Sequence, residues 1–88
     1  MEQNSPNPFG PQTEIRYSLG EASETTLSVY DVEGRLVRTL QEGRQEAGDH
    51  TVAWDRRNNA GATVAAGVYF YELNSGGKRF QRKAVVLD

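Results

Sequence analysis

The side chains that could do chemistry in this 88-residue chain are few and scattered. His50 is the only histidine, and there is no cysteine. Nucleophilic catalysis needs a serine, threonine or cysteine beside a base. His50 stands on an alternating apolar–polar stretch, where a satisfied, partly buried imidazole is the ordinary outcome. Asp31 with Glu33, and Asp55 with Asn58 and Asn59, offer oxygen atoms suited to calcium. Neither set has EF-hand spacing, and Asp or Asn in a turn commonly bonds nearby backbone instead. Gly76-Gly77 has no helix behind it to complete a phosphate-binding loop. These residues therefore predict no catalytic set, no cofactor and no metal. The remaining chemical feature is basic. Lys78, Arg79, Arg82 and Lys83 precede the apolar run Ala84-Val85-Val86-Leu87. Two readings apply to it: a charged edge strand that discourages sheet pairing, or a recognition surface able to add to a partner's sheet.

The elements that must position these residues read as strands. Ile15, Tyr17 and Leu19 alternate with polar residues from Thr13 on, the period of a half-buried strand. A second strand is expected over 24–31, with Thr25, Leu27 and Val29 on one face. Glu33-Gly34 supplies a tight turn. A return strand over 35–41 carries Leu36, Val37 and Leu40, whose phase predicts a bulge at Val37–Leu40. A polar loop is expected over 42–48. A strand over 49–54 then points His50, Val52 and Trp54 inward, and Trp54, the only tryptophan, should centre the core. The stretch 55–67 is broken by Asn58-Asn59-Ala60-Gly61, with room for an edge strand at Ala62–Ala65. Val68 to Leu73 is strongly β-prone, and a last strand is expected over 78–87. No segment shows helical periodicity with caps. Six to seven short antiparallel strands at such spacing indicate an all-β sandwich.

All three prolines lie in residues 1–12. This segment reads as a stiff, polyproline-like lead-in with Phe9 as its one anchor, and residues 13–88 as the sandwich domain. The start, Met1-Glu2-Gln3-Asn4, suggests a piece cut from a longer protein. A formal net charge of −2 argues against general nucleic-acid binding. No apolar run reaches the length of a membrane span.

Several motifs in order resemble one family. They are Pro6-Asn7-Pro8-Phe9, the Ile15/Tyr17/Leu19 alternation, Val29-Tyr30-Asp31 with Gly34-Arg35, and Ala47-Gly48 with His50, Val52 and Trp54-Asp55. Gly61, Gly67-Val68-Tyr69-Phe70-Tyr71 and Lys83 with Val85-Val86 follow. Together they resemble the C-terminal domain of type IX secretion substrates, similar in turn to the immunoglobulin-like domain of the flagellar hook-capping protein. The resemblance implies an immunoglobulin-like β-sandwich and a non-enzymatic sorting role. A cargo domain would precede it, and the outer-membrane secretion machinery and a sortase-like protease would be its partners. The location would be secreted or on the cell surface of a Gram-negative bacterium. Recognition would fall on Gly67, Tyr69, Lys83, Val85 and Val86 by resemblance, and on Lys78, Arg79, Arg82 and Leu87 of the basic strand. Deleting Ala84–Asp88 is then expected to abolish export while the sandwich stays folded. The alternative is an immunoglobulin-like structural or spacer module of a cell-surface or flagellar-cap protein. A carbohydrate-binding module using Tyr17, Tyr30, Tyr69, Tyr71 and Trp54 ranks last, because the alternation places most of these rings inside.

Overall fold

The computed structural model describes residues 1–87; the expectations attached to Asp88 lie outside the described residues. Six strands form: β1 (Thr13–Leu19), β2 (Ser23–Asp31), β3 (Leu36–Gln45), β4 (Gly48–Trp54), β5 (Gly67–Ser75) and β6 (Lys78–Val86). They make two antiparallel sheets, β1-β4 and β3-β2-β5-β6, packed face to face. The described residues contain no helix. The period-two residues of β1, β2 and β5 supply the interior: Ile15, Tyr17, Leu27, Val29, Tyr71 and Leu73 are buried. Trp54 closes the centre, its ring edge-on to Phe9 (5.6 Å) and Tyr69 (5.5 Å). Such edge-to-face pairs add about 0.5–1.5 kcal/mol each beyond area burial. The indole N–H is satisfied by the Arg57 carbonyl at 3.0 Å.

The expected bulge exists, and it is double. Leu27 faces Gln41 and Ser28 faces Thr39, leaving Leu40 unpaired; Val29 faces Arg38 and Tyr30 faces Leu36, leaving Val37 unpaired. Each extra residue turns an apolar side chain onto the core, where Val37 and Leu40 both pack. Two expectations need correction. The polar loop expected over 42–48 is mostly strand: β3 runs on to Gln45, pairing Glu42, Gly43 and Arg44 with Thr26, Thr25 and Glu24. Cross-strand pairing, not burial, holds that end, so hydropathy does not reveal it. The edge strand expected at Ala62–Ala65 is only an isolated Arg57–Thr63 bridge. Here Asn58 and Asn59 organise the chain. Asn58 Oδ1 accepts the Ala60 and Ala62 N–H groups, while Asn59 bonds Thr39 and Val37 along the free edge of bulged β3.

Residues 1–12 lie on the sandwich and serve both sheets, rather than standing off as a polyproline rod. Glu2 and Ser5 bond the free edge of β1 at Arg16 and Glu14. Phe9 then pairs with Val86 on the free edge of β6. Phe9 is not the only anchor. Asn4 is buried, its side-chain amide donating to the Pro6 carbonyl and to Thr13 Oγ1 at 3.0 Å each. The Tyr71 hydroxyl accepts the Asn4 N–H (2.7 Å) and donates to the Glu2 carbonyl (3.1 Å). Sequence periodicity could not show this, because the anchoring groups are polar or main-chain atoms, and the Tyr71 hydroxyl that joins them lies more than sixty residues away.

Candidate interaction surfaces

The residues first considered for chemistry serve the fold. Asp31 Oδ1 accepts the backbone N–H groups of Glu33 (2.9 Å) and Arg35 (3.0 Å), and its other oxygen pairs with the Arg35 guanidinium at 2.9 Å. These bonds, led by the Arg35 N–H, hold its carboxyl below the usual range. Asp55 pairs with Arg38 and Arg57. His50 stacks on Tyr17 (centroids 5.3 Å apart) and bonds the Glu46 carbonyl at 2.8 Å. The Tyr17 hydroxyl donates to Gln45. Burial raises the phenol pKa of Tyr17, Tyr69 and Tyr71, consistent with rings facing inward.

The nine candidate recognition residues do not form one surface. Tyr69 and Val86 are buried, and Tyr69 spends its hydroxyl on the Ala65 carbonyl at 2.7 Å. Gly67 is half-buried opposite Val86. On β6, Lys78 and Arg82 share the inner side with buried Ala84 and Val86, whereas Arg79, Lys83 and half-buried Val85 lie on the outer face. Arg79 pairs with Glu72 at 3.1 Å, and Arg82 bonds the Met1 carbonyl at 2.9 Å. Leu87 is exposed, but its N–H donates to the Phe9 carbonyl and its own carbonyl accepts from Arg56. β6 is an edge strand, and its C-terminal half is already paired. Val85 uses its N–H on Asn7 Oδ1 and its carbonyl on the Phe9 N–H, and the Lys83 carbonyl accepts from Gln3. The expected terminal deletion also needs correction: removing Ala84–Asp88 takes Ala84 and Val86 out of the core, so the sandwich would not be left intact.

A second surface escaped the sequence reading. On the outer face of the four-stranded sheet, Leu36, Tyr30, Phe70 and Lys83 align across all four strands, with Val68 opposite Val85 alongside. Leu36 (52% exposed), Val68 (38%) and Val32 of the β2–β3 turn (66%) leave this end of the sheet apolar toward solvent. The available signal was β5 itself: Val68-Tyr69-Phe70-Tyr71 is apolar on both faces, more than a strand with one buried face needs.

Two packed antiparallel sheets with an interior of tyrosine, tryptophan and aliphatic residues define an immunoglobulin-like β-sandwich domain. Residues 8–78 match the model of the FlgD Ig-like domain, and the chain belongs to that family. The basal-body rod modification protein FlgD of Salmonella typhimurium is 38% identical over 65 residues, as is that of Salmonella typhi. That overlap covers 74% of this chain and 26% of the relative, so the match spans about a quarter of the curated relatives. Among solved structures, FlgD from P. aeruginosa superposes with a TM-score of 0.66 at 24% identity, over 84% of this chain and 59% of that one. Dimeric latent PorU from Porphyromonas gingivalis gives 0.73 at 23% identity, over 97% of this chain and 9% of PorU. PorZ, described as an essential bacterial surface component of the type-IX secretion system of the same organism, gives 0.64 at 22% identity over 98% and 11%. At such identities these three likenesses establish the fold.

Proposed function

We propose that this domain is a non-catalytic structural module that packs against neighbours in a cell-surface or flagellar-cap assembly. The observation that carries this reading is the apolar outer face of Val32, Leu36, Val68 and Phe70, on a sandwich where Asp31 and Asn58 are committed to turns. Contiguous exposed apolar surface of this kind marks a protein contact. The family membership supports the same reading. Leu36→Ser with Val68→Thr, placed in the longer protein that carries the domain, is expected to change stability by no more than about 1 kcal/mol. Assembly, measured by light scattering, should weaken at least about tenfold, since each buried apolar side chain contributes about 1.5–3 kcal/mol. Unchanged assembly sinks the reading.

A second reading is the type IX sorting role. It is favoured by the likeness to PorU and PorZ, which extends over 97% and 98% of the chain and so takes in β6, whereas the family match stops at Lys78. Terminal truncation cannot test it, for the packing reason given above. Lys78→Glu with Lys83→Glu can, because both side chains are exposed. In a type IX-competent host, a reporter fused ahead of residues 1–88 should lose export while the melting temperature of the domain holds. Export at the original level counts decisively against sorting.

A further inference from the structure

We propose that β4 pairs antiparallel with β4 of a second copy of this chain, about a two-fold axis at Thr51. The exchange of bonds between Ser5 and Glu14 turns the even-numbered backbones of β1 toward the lead-in. Thr13, Ile15, Tyr17 and Leu19 therefore bond β4, where their partners are Trp54, Val52, His50 and Gly48. Asp49, Thr51 and Ala53 turn their N–H and carbonyl groups to the other side. All three residues are exposed, and among the described residues no backbone partner meets those groups. The other free edges are guarded. Glu2 and Ser5 meet β1, and Phe9 meets the end of β6, whose remainder carries Lys78, Arg79 and Arg82. β3 is kinked by its two bulges and capped by Asn59. Bulges, cations and covering segments are the devices that stop an edge from pairing. Among the described residues β4 has none of them: Gly48–Trp54 holds no lysine, arginine or proline, and its register with β1 is unbroken. Its one carboxylate, Asp49, accepts from Ser18 Oγ at 2.6 Å, back toward β1.

What such an edge takes is an extended strand, and β4 is its own complement. Asp49, Thr51 and Ala53 are symmetric about Thr51, so a two-fold axis there sets every free backbone group of one copy against the other. Asp49 then faces Ala53, Thr51 faces Thr51, and on the inner side His50 faces Val52. Each pair of facing free residues exchanges two hydrogen bonds, and no like charges meet. A shift of two residues either way leaves a free residue on each copy unmatched. Facing threonines also make a favourable cross-strand pair. The union mends an imbalance as well: the β1-β4 sheet has two strands against four in the other. Two strands alone make a marginal sheet, and the joined sheet runs β1-β4-β4-β1. A contact of this symmetry closes on itself as a dimer. It uses neither Leu36 nor Val68, so it is independent of the outer-face contact.

Amide exchange of the 88-residue chain, read by NMR between about 20 μM and about 1 mM, tests the pairing by mass action. The Thr51 and Ala53 amides should become at least about threefold more protected at the top of that range. His50 and Val52, bonded to β1 at any concentration, should not change. Thr51→Pro removes the N–H on the axis, at an edge position where proline is tolerated. It should raise the dimer dissociation constant, measured by sedimentation equilibrium, at least about tenfold. Thr51→Lys and Thr51→Glu should each weaken association, and an equimolar mixture of the two should restore it, because these side chains face each other across the axis. Should proline unfold the strand, the Lys and Glu variants carry the same test. Thr51 exchange that ignores concentration overturns the proposal. So does association that survives Thr51→Pro but is lost in Leu36→Ser with Val68→Thr, which would assign it to the outer sheet face. A mixture no tighter than its parts removes the register about Thr51, and the self-pairing with it.

Discussion

Phe9→Ala is expected to cost about 3–5 kcal/mol of folding stability, the range for truncating a buried phenylalanine. Phe9 is only 1% exposed, lies edge-on to Trp54, and sits where the chain pairs with the end of β6. Its removal leaves a cavity against the largest ring of the core and loosens the pairing that closes the β6 edge. A chain of 88 residues has a total stability of about 4–13 kcal/mol at ordinary values per residue. One substitution in the proline-rich lead-in therefore removes a large fraction of it. Urea denaturation followed by Trp54 fluorescence measures the loss. Phe9→Leu, which keeps most of the volume, should cost less than about 1.5 kcal/mol. If Phe9→Ala unfolds within about 1 kcal/mol of the parent, the lead-in is not part of the cooperative unit.

The second large effect is alkaline lability. Burial raises the pKa of Tyr17, Tyr69 and Tyr71 above the ordinary value of 10.0. The folded state then holds these protons more tightly than the unfolded chain does. Stability is fully present below about pH 10 and falls as pH rises from there through the folded pKa values. Each tyrosine that titrates only on unfolding contributes a slope of about 1.4 kcal/mol per pH unit, so three give up to about 4. Tyr71 adds a structural cost, since its hydroxyl donates to the Glu2 carbonyl and cannot do so once ionised. Denaturation midpoints between pH 9 and pH 11.5 should fall steeply above about pH 10. Tyr69→Phe should flatten that fall by about a third. A midpoint that stays level across the range shows that the phenols ionise without unfolding.

The strands that carry the core were legible because alternation is local. Ile15, Tyr17 and Leu19, then Leu27 and Val29, then Tyr69, Tyr71 and Leu73, each declare a face within a few residues, and the structure buries those side chains. A bulge in β3 could also be read, since Val37 and Leu40 break the period; that it is double shows only in the pairing with β2. The polar extension of β3 could not, because Glu42, Gly43 and Arg44 are held by partners on β2 and not by their own hydropathy. The basic strand was seen as a run of charge. Its division into two faces, with Lys78 and Arg82 inside and Arg79 and Lys83 outside, follows only from the pleat and from where the smaller sheet stops.

By itself, then, the order of residues determined an all-β sandwich centred on Trp54, together with turns that claim Asp31 and Asn58 for the backbone. Tertiary structure decided what remains open to a partner. Which edge of β1 or β6 is paired, and which apolar side chains stay uncovered, depend on how the lead-in is laid across both sheets, through contacts as near as Ser5 with Glu14 and as distant as Asn4 with Tyr71 and Phe9 with Val86. Backbone hydrogen bonds carry no side-chain signature, so no local pattern records them.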